Sequence, residues 1–257
     1  MSAAGPDPST QNQSGVAPKM AMVLAAGLGT RMRPITDTLP KPLVPVAGRA
    51  LIDHILDRLG ETGIETAVVN LFHLADQIET HLKDRTAPKL VFVREPERLE
   101  TGGGVKNALS YFGDAPFFVT NTDALLLNGP RPILPRLAEE WRDDAMDALL
   151  LLHSTVEAFG YEGRGDFCAE PDGKLSRRPE MEIAPWLFTG VQILHPRLFA
   201  DTPDEAFSLN VLYDRAIEND RLYGVVHDGE WFHVGTPDAL SVTEDYMSER
   251  FAGQRRR

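Results

Sequence analysis

The chain has 257 residues, 42% of them hydrophobic, and a formal net charge of −12 at pH 7. That length suits one large α/β domain or two small ones, and the acidity argues against general nucleic-acid binding. No stretch approaches the roughly 18 apolar residues of a membrane helix, and the one cysteine, Cys168, excludes an internal disulfide framework.

A lone thiol fits a reducing compartment, and the first residues lack a basic start followed by an apolar run. A cytoplasmic location with no membrane partner is therefore expected. Residues 1–18, rich in Ser, Gln, Pro and Gly, are expected to be a disordered tail. From Lys19 an apolar strand over 20–26 is predicted, then a small-residue loop. Leu51, Ile52, Ile55, Leu56 and Leu59 share one helical face, and Gly60 and Gly63 close that helix. A strand over 66–71, a helix over 74–83 and a strand over 90–94 follow. A helix is expected after Gly104, then a strand over 116–120, a helix over 133–141 and a strand over 146–153.

This alternation predicts an α/β fold with a mainly parallel mixed sheet and helices on both faces. Residues 154–185 are turn-rich and lose helical patterning, which suggests a small β-rich lobe on the second half. Beyond them come a strand over 186–195, a helix over 209–219 and strands over 222–234 around the Asp228-Gly229 turn. Thr236 can cap a last helix with Pro237 at its first position, running to about Phe251. One domain over 19–252 is expected, with a nucleotide-binding half (19–125) and an acceptor half (126–252), before a frayed basic end at 253–257.

The loop after the first strand carries the chemistry. Gly27-Leu28-Gly29-Thr30-Arg31 lets backbone N–H groups approach a ligand, while Arg31 and Lys41 present cations, as a polyphosphate requires. Five basic residues (Lys19, Arg31, Arg33, Lys41, Arg49) stand against Asp37 alone between positions 19 and 49, a positive patch on an acidic protein. The string is not a Walker A loop: Gly173-Lys174 is followed by Leu175. Nor is it a dinucleotide fingerprint, because Met32 stands where a third glycine belongs.

Residues 24–46 resemble the signature of the sugar-1-phosphate nucleotidyltransferases. The likeness extends through Glu95-Pro96, Glu100-Thr101-Gly102-Gly103-Gly104, Asn121-Thr122-Asp123, Phe188-Thr189-Gly190 and Trp231 to Thr236. It implies a Rossmann-like, GT-A-like nucleotidyltransferase fold. It also implies Mg²⁺-assisted transfer of a nucleoside monophosphate to a sugar 1-phosphate, with release of pyrophosphate. The short length and the Glu-Thr-Gly-Gly-Gly string resemble most the uridylyltransferase branch that serves cell-wall recycling, so UTP is the favoured nucleotide; thymine and guanine stay open. A catalytically silent nucleotide-sugar-binding relative is the other reading.

In that role Gly27, Gly29 and Thr30 would supply backbone contacts. Arg31 would grip the β- and γ-phosphates, and Lys41, aimed by Pro40 and Pro42, would sit near the α-phosphate. Ala25, Ala26 and Gly27 would offer main-chain groups to the base; Glu95, Thr101, Gly102 and Gly103 are further nucleotide contacts by resemblance. Asp123, after a strand, suits Mg²⁺. The family usually has Asp where this chain has His233, in Trp231-Phe232-His233-Val234-Gly235-Thr236. His233 holds a metal-bound water or phosphate, ligates a softer metal such as Mn²⁺, or fills a strand end. On the sugar-phosphate side stand Gly190, Arg178, where the family often has a cation, and Asn70. Asn210, equally suited to a helix start, and Trp231, equally suited to core, complete the candidates.

Overall fold

The computed structural model describes residues 17–251, so all but the last two residues of the tail expected over 1–18, and the basic end at 253–257, lie outside the described residues. Among the described residues the first element is β1 (Met20–Leu24), followed by three 3-10 turns at Thr30–Met32, Ile35–Asp37 and Lys41–Leu43. A small hairpin, β2 (Pro45–Val46) with β3 (Arg49–Ala50), leads into α1 (Leu51–Glu61). Next come β4 (Thr66–Leu71), α2 (Ala75–Leu82), β5 (Lys89–Arg94), α3 (Glu100–Asn107) and β6 (Phe117–Asn121). The second half holds β7 (Ala124–Leu127), α4 (Ile133–Glu140), β8 (Ala148–Ser154), β9 (Phe167–Ala169), β10 (Leu175–Arg177) and β11 (Trp186–Leu194). It ends with α5 (Asn210–Glu218), β12 (Leu222–Val226), β13 (Glu230–His233) and α6 (Pro237–Phe251).

Nine strands share one sheet. β5, β4, β1 and β6 lie side by side and parallel. β11 then enters antiparallel between β6 and β8, β12 pairs parallel with β8, and the β9–β10 hairpin joins β11 where Trp186 faces Phe167. Both faces are covered, as a parallel sheet needs. Ala21 and Val23 of β1 face the apolar sides of α1, α2 and α4. Met22 between them faces the other way, towards α3 and α5. A third cluster joins β7, β13 and α6 over Phe232, Val234 and Leu125. Among the described residues no helix is long and apolar enough to cross a membrane.

Three expectations need correction. α3 does not follow Gly104 but starts at Glu100, so the triple glycine is helical. The carbonyl of Phe207 accepts from both the Gly102 and Gly103 N–H groups, at 2.8 and 3.1 Å, and so caps that helix start from a distant segment. Gly60 lies inside α1; Gly63, at φ +81°, is the residue that turns the chain out of it. β12 and β13 do not form a hairpin. β12 joins β8 in the main sheet, while β13 pairs antiparallel with β7, a strand that an apolar run straight after Asp123 concealed. The cap on α6 is as expected: the Ala239 N–H donates to Thr236 Oγ1 at 3.2 Å.

Two buried histidines lie near Trp231: the His153 ring stacks on the indole, and the His227 ring lies 6.0 Å from that of His153. His227 Nδ1 is buried without a hydrogen-bond partner among the described residues. Burial first, and His153 beside it, push His227 from 6.5 down to about 4. The unfolded chain therefore binds a proton between those values that the folded chain refuses. Acidification from pH 6.5 to 4 is expected to cost roughly 3 kcal/mol through this residue, a loss complete below pH 4. Urea unfolding across that range should show a shallower acid limb in His227→Gln; an unchanged limb would refute this.

Candidate active site

The carboxyl ends of the four parallel strands open onto one cavity of about 300 Å³. Ligand sites of open α/β sheets lie at such ends. The loop leaving β1 supplies Gly27, Gly29, Thr30 and Arg31 to its wall. Gly29 must be glycine. Its φ is +64°, and a Cβ there would stand 2.8 Å from Thr36 Cγ2 and 3.1 Å from Lys41 Cβ. The Thr36 hydroxyl donates to the Gly29 carbonyl at 2.8 Å and so holds this turn against the segment that carries Lys41. A Cβ on Gly27 would meet nothing within 4 Å; the space over its backbone belongs to the cavity.

Lys41 is buried, starts a 3-10 turn, and follows an extended Pro40. Its Nζ lies 3.4 Å from Asp123 Oδ2. Burial holds the Lys41 ammonium below its ordinary value and the Arg31 guanidinium adds to this, while Asp123 opposes both. The three groups thus act on one another electrostatically within one cavity wall. Asp123 follows β6 at a fixed height. The Thr122 hydroxyl donates to the Leu24 carbonyl at 2.9 Å, and the Val234 N–H donates to the Asp123 carbonyl at 3.0 Å. That second bond brings His233 alongside. Its ring stacks on Trp231 at 5.7 Å and packs over Gly235, which lines the cavity. Burial lowers its basicity, Asp123 opposes this, and Lys41 and Arg31 add to the lowering.

Glu95, also buried, lines the cavity without a cationic partner among the described residues. It belongs to a relay across three strands. Asn70 Oδ1 accepts from the Ala25 N–H at 2.8 Å, Asn70 Nδ2 donates to Glu95 Oε1 at 2.7 Å, and the Leu99 N–H donates to Glu95 Oε2 at 3.2 Å. A Cβ on Gly104 would stand 2.7 Å from Asn70 Nδ2 and 2.9 Å from Glu95 Oε1, so this glycine makes room for the relay.

Of the expected contacts, Ala26, Gly27, Gly29, Thr30, Arg31, Lys41, Glu95, Thr101 and Asp123 converge on the cavity, and Asn70 joins them at its floor. Others do not. The Ala25 N–H is taken by Asn70, and those of Gly102 and Gly103 by Phe207. A Cβ on Gly102 would stand 2.4 Å from the Phe207 ring, so this glycine makes room for that ring. Arg178 spends its guanidinium on the carbonyls of Gly165, Pro179, Glu180 and Glu182, bracing its own loop. Asn210 is exposed and tied to Arg177, and the Trp231 indole is buried with its N–H on the Thr189 carbonyl at 3.0 Å. Gly190, at φ +90° in the β11 bulge, lies against the Asn121 side chain outside the cavity lining. Sequence reasoning missed Arg98, Glu100, Asn121 and Thr122 as lining residues. The run of charges straight after β5 was the available signal.

The Nucleotidyl transferase family model matches residues 20–249. An N-acetylmuramate alpha-1-phosphate uridylyltransferase of Caulobacter vibrioides is 45% identical over 238 residues, 91% of this chain and 98% of that protein. A protein of the same name from Neisseria meningitidis serogroup B is 38% identical, over 84% of this chain and 93% of the relative. A UDP-glucose pyrophosphorylase solved with UDP-glucose superposes with a TM-score of 0.75 at 19% identity, covering 91% of this chain and 99% of that one, which speaks for the fold alone. With the phosphate loop, the Lys41–Asp123 pair and this span of likeness in hand, the chain belongs to the nucleotidyl transferase family, as one of its sugar-1-phosphate nucleotidyltransferases.

Proposed function

We propose that this chain transfers UMP from UTP to a sugar 1-phosphate, with N-acetylmuramate 1-phosphate as first choice, in cell-wall recycling. The names of its two relatives support the nucleotide and the acceptor. The convergence of Arg31, Lys41 and Asp123 on one cavity at the strand ends supports the chemistry and is the observation that carries the proposal.

A phosphate oxygen of the sugar 1-phosphate attacks the α-phosphorus of UTP. A new P–O bond forms there, the bond to the β-phosphate's bridging oxygen breaks, and pyrophosphate leaves with that electron pair. Catalysis of such a displacement is mostly positioning and neutralisation of charge. The backbone of Gly27, Gly29 and Thr30 cradles the phosphates. Arg31 holds the β- and γ-phosphate oxygens with its planar fork of donors and stabilises the departing pyrophosphate. Lys41, a compact charge on a buried stem, faces the α-phosphate.

Asp123 keeps 32% of its side chain exposed, beside one ammonium. This fits Mg²⁺, which takes one or two carboxylates together with substrate phosphates. Asp123 would hold the ion, and bound Mg²⁺ supplies further neutralisation of phosphate charge. His233, as an imidazole, suits Mg²⁺ poorly as a ligand and leaves Asp123 as the principal protein donor. No nucleophilic side chain is required; Cys168 sits apart in β9.

Pyrophosphate release should be measured from UTP, dTTP and GTP with N-acetylmuramate 1-phosphate and with glucose, mannose and N-acetylglucosamine 1-phosphates. UTP with N-acetylmuramate 1-phosphate is expected to be fastest, and EDTA to abolish the signal. A faster rate with another pair replaces base or acceptor; silence with every pair overturns the enzymatic reading.

A further inference from the structure

Arg31 stands in a turn too small to fix its own place. The 3-10 turn Thr30–Met32 closes on two backbone bonds. The Met32 N–H donates to the Gly29 carbonyl at 2.8 Å, and the Arg33 N–H to the Thr30 carbonyl at 3.4 Å. So short a piece of 3-10 helix gives a side chain little rigidity of its own. A fork of donors that must meet phosphate oxygens in line needs support from outside the turn.

That support comes from the corner after β4. Asn70, inside the strand, holds the Ala25 N–H at one end of the loop. Beyond the strand, His73 Nε2 donates to the Thr36 carbonyl at 3.3 Å, and Gln77 Nε2 donates to the Thr38 carbonyl at 3.1 Å. Leu74, between them, turns the chain with φ +52°, a left-handed conformation that strains a residue with a Cβ. Thr36 passes the support on. It is buried, and its hydroxyl donates at 2.8 Å to the Gly29 carbonyl, the same oxygen that closes the Arg31 turn. Two side-chain hydrogen bonds thus link the β4 corner, through Thr36, to the turn that carries Arg31. Neither His73 nor Thr36 lines the cavity.

We propose that His73 and Thr36 are positioning residues of the phosphate site, setting where the Arg31 guanidinium meets the terminal phosphates of the nucleotide. This rests on the uridylyl-transfer reading above. Their reach ends at Arg31, so they govern triphosphate affinity and turnover and leave the sugar phosphate alone. His73 is only partly buried, so its truncation opens no core.

The test titrates UTP and inorganic tripolyphosphate, each with Mg²⁺, into the full chain by calorimetry. The variants are Thr36→Val, Thr36→Ser, His73→Ala and His73→Gln, each alone and combined with Arg31→Ala. Melting temperatures, kcat and the KM for N-acetylmuramate 1-phosphate are measured on the same samples. Thr36→Val and His73→Ala should weaken both ligands by about three- to tenfold and lower kcat, with the sugar-phosphate KM unchanged. Thr36→Ser and His73→Gln restore a donor and should recover most of the affinity. Combined with Arg31→Ala, none of the four should weaken either ligand further, because the group they place is gone. Losses that persist in that background overturn the proposal. So does an equal rise in the sugar-phosphate KM, or unchanged affinity in folded Thr36→Val and His73→Ala. Should tripolyphosphate bind as expected while UTP is never turned over, uridylyl transfer is refuted and the positioning role stands. A wild type that binds neither ligand refutes both.

Discussion

Arg31→Ala should lower kcat by about a thousandfold, the scale on which a positioned arginine acts in phosphoryl transfer, while the folded protein stays within about 0.5 kcal/mol of wild type. The two halves of this expectation have separate causes. Arg31 is exposed in the centre of a three-residue 3-10 turn, so its truncation opens no core. Among the described residues its neighbours Arg33 and Lys41 have carboxylate partners and Arg31 has none, which leaves its guanidinium for a ligand. Arg31→Lys should recover part of the rate, because a point charge remains but the fork of donors does not. Stopped-flow pyrophosphate release and thermal melting on the same samples decide the matter. Near-normal turnover in a folded Arg31→Ala protein would remove the residue from the mechanism.

The Lys41–Asp123 pair predicts an asymmetry that a merely structural ion pair would not share with catalysis. Asp123→Ala leaves a buried ammonium without its partner, a strongly unfavourable state. Because Asp123 keeps a third of its side chain in water, water replaces part of what is lost, and the cost should be about 2 kcal/mol. Lys41→Met keeps the apolar stem and removes the desolvated charge, so its stability should equal or exceed that of wild type. Both variants should lose at least about a hundredfold in kcat. The double variant should regain the stability lost by Asp123→Ala and recover no activity. Guanidinium unfolding and initial rates across this cycle test both parts; retained activity in Asp123→Ala would sever the carboxylate from the reaction.

Much of the fold could be read from local pattern. The strand over 66–71 and the start of α6 at Pro237 fall where periodicity and capping put them, because each follows from neighbours within a few residues. The concealed elements depend on distant partners. β7 has a partner only because β13 comes back to it from more than a hundred residues later. The first turn of α3 looked like a glycine turn because glycine is poor in helices; Phe207, remote in sequence, supplies the carbonyl that caps it.

The same division runs through the site. Gly29, Arg31, Lys41 and Asp123 could be chosen from the sequence because backbone freedom and charge at those positions are properties of the residues themselves. The family, too, followed from short strings whose spacing is covalent. What only the tertiary structure decided is where each polar group spends its hydrogen bonds. Arg178 turns to its own loop, the Trp231 indole to Thr189, and Asn70 to Ala25 and Glu95. Arg98 and Glu100, in the charge run after β5, line the cavity because the sheet sets β5 beside β4. A donor or acceptor is free for a ligand only if no nearer group satisfies it, and that depends on neighbours that folding alone brings together.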